Sequence, residues 1–210
     1  MRNRLFAAAL AATTALIALL ALPAGTASAA PKTPALPAVG NPLSADLVPG
    51  TVVTMYSPGT TSGFKCTASH LGGTLAADPN APGTLSGPVD TLTFGGCTTN
   101  IPGFVSVTSL TMDNLPYTLA VSDAPSNPLV FLPTSAGYLQ ATLVTRTLAG
   151  NLTCVFRANV LNGNATNNLT QLNLSAQNLT KAAGPSLCFS SIDFSASYGP
   201  VTQGATGLVN

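Results

Sequence analysis

The sequence predicts an all-β protein, an antiparallel β-sandwich or barrel built from two duplicated halves, behind an N-terminal signal helix and a Pro-rich arm. Three observations predict it. Short runs of alternating apolar and polar residues recur between Gly, Pro, Asn and Asp, and beyond the N-terminal apolar run no stretch keeps a helical period. Thr, Ser, Asn and Gly supply the polarity that helix surfaces draw from Glu, Lys, Arg and Gln, and Glu is absent. The four cysteines fall into two pairs of similar spacing, Cys66 with Cys97 31 residues on and Cys154 with Cys188 34 residues on.

Residues 1–29 read as a secretory signal. Arg2 and Arg4 form a basic start, Leu5 to Leu22 is nearly unbroken apolar sequence, and Ala27-Ser28-Ala29 is an A-x-A cleavage site. The apolar run is borderline for a membrane span, and the cleavage signature favours removal. Arg2 and Arg4 are not adjacent, which points to the general export route and not the twin-arginine one. No later stretch is apolar for long enough to span a bilayer, so the mature form is expected without a span, secreted and at most loosely cell-surface associated. Residues 30–50 carry Pro31, Pro34, Pro37, Pro42 and Pro49 and read as an extended arm, because prolines this dense forbid helix and central strand.

Residues 51–210 make the β domain, with half-repeats at about 51–132 and 137–210. Thr51 to Tyr56 opens it. Phe64, Cys66 and Ala68 then alternate with Lys65, Thr67 and Ser69, the first set facing inward. Gly72-Gly73 and Asp78 to Gly83 are turn chemistry, and Leu92 and Phe94 continue the inward face. From Phe104 to Met112 the apolar set changes phase from Val105 and Val107 to Leu110 and Met112, which predicts a bulge near Thr108-Ser109. Tyr117, Leu119 and Val121 alternate cleanly, and Val130 to Leu132 is short. The second half opens with a strand at about Gly137 to Leu148. Leu152, Cys154, Phe156 and Ala158 then face inward, as do Leu172, Leu174 and Ala176. The clearest strand sets Ile192, Phe194, Ala196 and Tyr198 against Asp193, Ser195 and Ser197.

Four cysteines in an exported chain predict two disulfides, and the repeat favours Cys66–Cys97 and Cys154–Cys188, one in each half. Each would close a loop that stabilises by about 3–4 kcal/mol on the chain-entropy model. A zinc site is disfavoured: C-x-x-C spacing is missing, and the single histidine, His70, stands alone. Asp78-Pro79-Asn80 and Asp113-Asn114 are ordinary turn residues without the dense acidic spacing of a calcium loop. No metal or cofactor is therefore expected.

The composition also argues against most chemistry. Past the leader only Lys32, Lys65, Arg146, Arg157 and Lys181 are cationic, too few and scattered for nucleic acid or anionic membrane. General bases are scarce, with one histidine and six dispersed aspartates. His70-Leu71-Gly72-Gly73 has the look of an esterase oxyanion loop, but no G-x-S-x-G elbow accompanies it, and a strand-end histidine before a glycine turn is the simpler reading. No catalytic residues are assigned, and the chain reads as no enzyme. Carbohydrate recognition usually uses exposed aromatics, and Trp is absent. Alternation sends Tyr117 and Tyr198 to the core and leaves Tyr56 and Tyr138 as weak ligand-binding candidates. Asn151, Asn164, Asn168, Asn173 and Asn178 begin N-x-S/T sequons that Asn/Thr-rich sequence produces by chance.

With its Ala-rich leader, its Thr/Ser/Gly-rich strands and Cys66, Cys97, Cys154 and Cys188, the chain resembles the small secreted β-rich proteins of actinobacteria. That group brings no assigned function and no active site, so the resemblance implies export and a stapled β fold and transfers no functional residue. The expectation is a non-catalytic secreted protein, structural or adhesive, at the cell surface, with self-association or a cell-surface polymer as its partnership. The alternative is a binding module for a small apolar ligand or glycan held in a cleft between the two halves.

Overall fold

The structure, a computed structural model, describes residues 38–78, 83–166 and 170–203, and the backbone of 206 and 207. Residues 1–29, expected to be a signal, Pro31, Pro34, Pro37, Pro79-Asn80 and the Asn168 sequon lie outside the described residues. Every described element is a strand. In chain order these are β1 (Pro42–Asp46), β2 (Val53–Tyr56), β3 (Gly63–Thr74), β4 (Thr84–Thr99), β5 (Phe104–Asp113), β6 (Tyr117–Ser122) and β7 (Pro128–Leu132). They continue with β8 (Leu139–Thr147), β9 (Gly150–Ala158), β10 (Leu161–Ala165), β11 (Leu172–Ala183), β12 (Ser191–Tyr198), β13 (Thr202–Gln203) and β14 (Thr206–Gly207).

Eight of these close into an antiparallel barrel in the order β2-β3-β4-β6-β7-β10-β11-β12, with β12 pairing back onto β2. Closure removes the free edges that an open sheet would present. Residues 51–132 and 137–210 pair at three seams among the described residues, β7 with β10, β12 with β2 and β5 with β8. The far end of β11 also pairs with β9, from which β8 and β5 continue as an extension. Inward residues of the extension join the same core: Met112 and Ala141 pack with Met55, Phe131, Leu174 and Phe194. Phe104 of β5 meets Phe64 of β3 edge-on, ring centres 6.0 Å apart.

Alternation translates directly into burial where a strand keeps one face to the core. In β12 Ile192, Phe194, Ala196 and Tyr198 are all buried and the residues between them are not; Tyr117, Leu119 and Val121 of β6 behave alike. The phase change in β5 is a real irregularity, with the register against β8 slipping between Val107 and Ser109. Both expected disulfides are formed. Cys66 and Cys97 sit directly opposite each other on β3 and β4, Cα atoms 4.0 Å apart, whereas Cys154 on β9 reaches Cys188 in the loop before β12.

Four expectations need correction. Gly72-Gly73, read as a turn after a strand-end histidine, continue β3 opposite Thr91 and Val89, so His70 lies inside the strand. Pro42–Asp46, placed in the extended arm, is a strand between β3 and β13: Pro42 occupies its first position, where a missing N–H is tolerated, and Pro49 falls beyond its end. Within β3 the buried set switches from Phe64 and Cys66 to Ser69 and Leu71, so Ser69 points inward and Ala68 outward. Opposite this switch Gly96 of β4 has φ +61°, and a side chain there would meet the Thr67 hydroxyl at 2.2 Å, so only glycine lets the ribbon turn over. Ala176 likewise leaves the core: it is exposed in a bulge between Leu174 and Gln177, with φ +48°.

Candidate functional site

The polar positions of the strands, which the core does not use, form the barrel's outer wall. On β2, Val53 and Met55 are buried, which turns Thr54 and Tyr56 outward. Strand register then sets two polar rows side by side. One runs Asn178, Asp193, Tyr56 and Gly63 across β11, β12, β2 and β3, and the other runs Ser195, Thr54, Lys65 and Thr98 across β12, β2, β3 and β4.

At the β3–β4 end of these rows lies a cleft of about 310 Å³ lined by Tyr56, Gly63, Lys65, Thr98, Thr99 and Asn100. Part of its lining is structural. Asn100 takes the Gly63 N–H on its Oδ1 at 2.8 Å and donates from Nδ2 to the Thr61 carbonyl, also at 2.8 Å, while Thr99 donates to the Gly63 carbonyl at 3.0 Å. Gly63 allows the strands to close up, since a Cβ there would stand 2.2 Å from the Met55 carbonyl and 3.0 Å from the Tyr56 ring. The rest is unspent: among the described residues the Tyr56 hydroxyl, the Lys65 ammonium and the Thr98 hydroxyl have no partner.

Tyr138, the other aromatic candidate, is exposed, but its ring is covered by the Arg157 guanidinium 4.7 Å from the ring centre. That cation–π pair fixes two outward side chains and occupies one ring face. Tyr56 and Tyr138 are not brought together: Tyr56 is on the barrel wall and Tyr138 precedes β8 of the extension.

His70 pairs across the strands with Asp46 of β1, Nδ1 to Oδ1 2.7 Å, with both side chains substantially exposed. Its Nε2 and the Thr91 hydroxyl flank the small space over Gly72, at 3.5 and 2.5 Å from where a Cβ would sit. The neighbouring serine, Ser69, is on the opposite face, hydrogen-bonded to Tyr198 and to the Thr93 carbonyl. Asp113 is engaged by Gln140 and Thr142, whose side chains both donate to its carboxylate. Asn151, Asn164 and Asn178 are exposed, and Asn178 donates to Asp193 at 3.0 Å.

Among the described residues, the interior shared by the two halves is packed with side chains. It is filled by Met55, Leu92, Phe94, Phe131, Leu174 and Phe194 among others, and its cavity volume of about 10 Å³ is at the lower bound for a single water. Lys65, Thr98 and Asn100 were not legible as site residues, yet one signal pointed to two of them. If the bridge between Cys66 and Cys97 joins directly opposed antiparallel positions, Lys65 must stand opposite Thr98 on the other face.

Comparison of the chain with protein-family models, with curated proteins and with solved structures finds no match in any of the three.

Proposed function

We propose that this is a non-catalytic secreted protein with a structural or adhesive role at the cell surface, acting through its exterior. The observation that carries the reading is the packed interior: side chains from both halves fill the ring, so contact with a partner falls to the outer wall. That wall is rich in Thr, Ser and Asn and poor in charge, which leaves little electrostatic repulsion between copies or towards a neutral polymer. Two intramolecular disulfides are consistent with an oxidising, extracellular setting.

Fractionation of producing cells together with sedimentation velocity over a range of concentrations tests the proposal. The expected result is protein retained on the cell envelope, or a sedimenting mass that grows with concentration. A strict monomer recovered only from the culture fluid overturns it. The alternative, a glycan-binding module, is favoured by one specific observation, the cleft beside Tyr56.

A further inference from the structure

The geometry points to the Tyr56 cleft as a binding site for a saccharide that carries a carboxylate, such as a uronic acid residue. The inference deepens the surface-acting reading and rests on it. Four properties of the cleft select this class of ligand.

The first is size. At about 310 Å³ the cleft stands at the small end of ligand pockets, suited to one or two sugar rings and too small for a folded partner. The second is the single aromatic wall. Tyr56 is half-buried, and the Gly63 backbone backs its ring, so the ring is held as a platform against which the C–H face of a pyranose packs. The third is the set of free polar groups. The Tyr56 and Thr98 hydroxyls each donate or accept, matching sugar hydroxyls, and the Lys65 ammonium only donates and carries the sole charge in the lining. An anionic group on the ligand satisfies it. The fourth is the strand arrangement. β2 and β3, which carry Tyr56 and Lys65, are each paired on both sides here, so an extended peptide cannot add a strand beside either, and one cation is too few for a nucleic-acid backbone.

The frame of the site is rigid by construction. The Cys66–Cys97 bridge locks the register that sets Lys65 opposite Thr98, and the Asn100 side chain ties the β4 end to the β2–β3 turn through Gly63 and Thr61. A preformed site loses little ordering entropy on binding.

The test uses the oxidised mature protein, digalacturonic acid as the acidic probe and maltose as the neutral one, followed by amide chemical-shift titration. The expected result is shift changes confined to residues 56–65 and 97–100, with digalacturonic acid bound at least about tenfold more tightly than maltose. Tyr56→Ala and Lys65→Gln should each weaken the acidic probe by about tenfold, with Tyr138→Ala unchanged. Equal binding of the two sugars, shifts elsewhere, no binding at millimolar probe, or indifference to both cleft substitutions overturns the site. The parent reading is scored separately: if the wild type stays with cell envelopes and the two variants stay equally, the site fails and the surface role stands. If the wild type is not retained and does not self-associate, the role itself fails.

Discussion

Tyr198 is fully buried, and because Ser69 donates to the Thr93 carbonyl at 2.7 Å, the phenol must be the donor in its 2.9 Å contact with the Ser69 oxygen. Burial raises the pKa of this phenol above its ordinary value, partly opposed because the Ser69 hydroxyl can turn to donate to the phenolate, and burial also raises that of Tyr117, opposed by the Gln140 backbone and helped by the Asp113 charge. Both groups keep their protons in the folded protein at pH values where unfolded tyrosine, near about 10, loses them. The unfolded chain then binds fewer protons, so stability is intact below about pH 10 and falls as pH rises beyond it. Denaturant titrations at intervals across that range should show the decline. Tyr198→Phe should lessen it, while costing about 1 kcal/mol at neutral pH for the lost hydrogen bond. An unchanged alkaline slope in the variant would mean that this phenol is not the source. Placing Tyr117 and Tyr198 in the core needed only alternation, whereas Ser69 was misplaced because alternation carries no sign of a ribbon that turns over at Gly96.

Strand existence was legible wherever one face stays on the core from end to end, as in β6, β9 and β12. It was least legible where a strand serves two neighbourhoods. β4 runs from Thr84 to Thr99, pairing first with β6 and then with β3, and its Gly87-Pro88 and Gly95-Gly96 steps look like turns in sequence. β11 is similar: β12 pairs with it from Leu172 to Thr180, while its other side pairs with β10 near its start and with β9 at its end, with the Ala176 bulge between. The bulge aims Leu174 and Leu179 into one core although five positions separate them, which strict alternation forbids. An L-residue in the left-handed region costs about 1–2 kcal/mol that glycine avoids, against roughly 0.5–1 kcal/mol of extra unfolded-state entropy for glycine. Ala176→Gly should therefore stabilise the protein by about 0.5–1 kcal/mol, read as a higher denaturation midpoint at unchanged slope. A loss of stability would show that the bulge does not hold residue 176 in that conformation.

At the scale of the molecule, ring closure was beyond sequence reading. It depends on β12 meeting β2, with Asp193 opposite Tyr56, and no local pattern encodes a pairing across so much chain. The apolar faces of the two stretches suggested by cysteine spacing share one core, to which the β5–β8–β9 extension also contributes. The two bridges enter that core differently: Cys66–Cys97 reinforces a pair of adjacent barrel strands, and Cys154–Cys188 pins the extension to the loop that leads into β12. Because the closed loops are nearly equal in length, 31 and 34 residues, chain entropy assigns each a similar stabilisation, about 3–4 kcal/mol. The Cys66→Ala/Cys97→Ala and Cys154→Ala/Cys188→Ala variants should thus lose comparable stability, and each should still unfold in one transition with calorimetric and van't Hoff enthalpies equal. A second transition appearing only when the Cys154–Cys188 bridge is removed would mean that the extension melts on its own. In that case the barrel would be the cooperative unit, and the strands β5, β8 and β9 a cover held to it by sulfur.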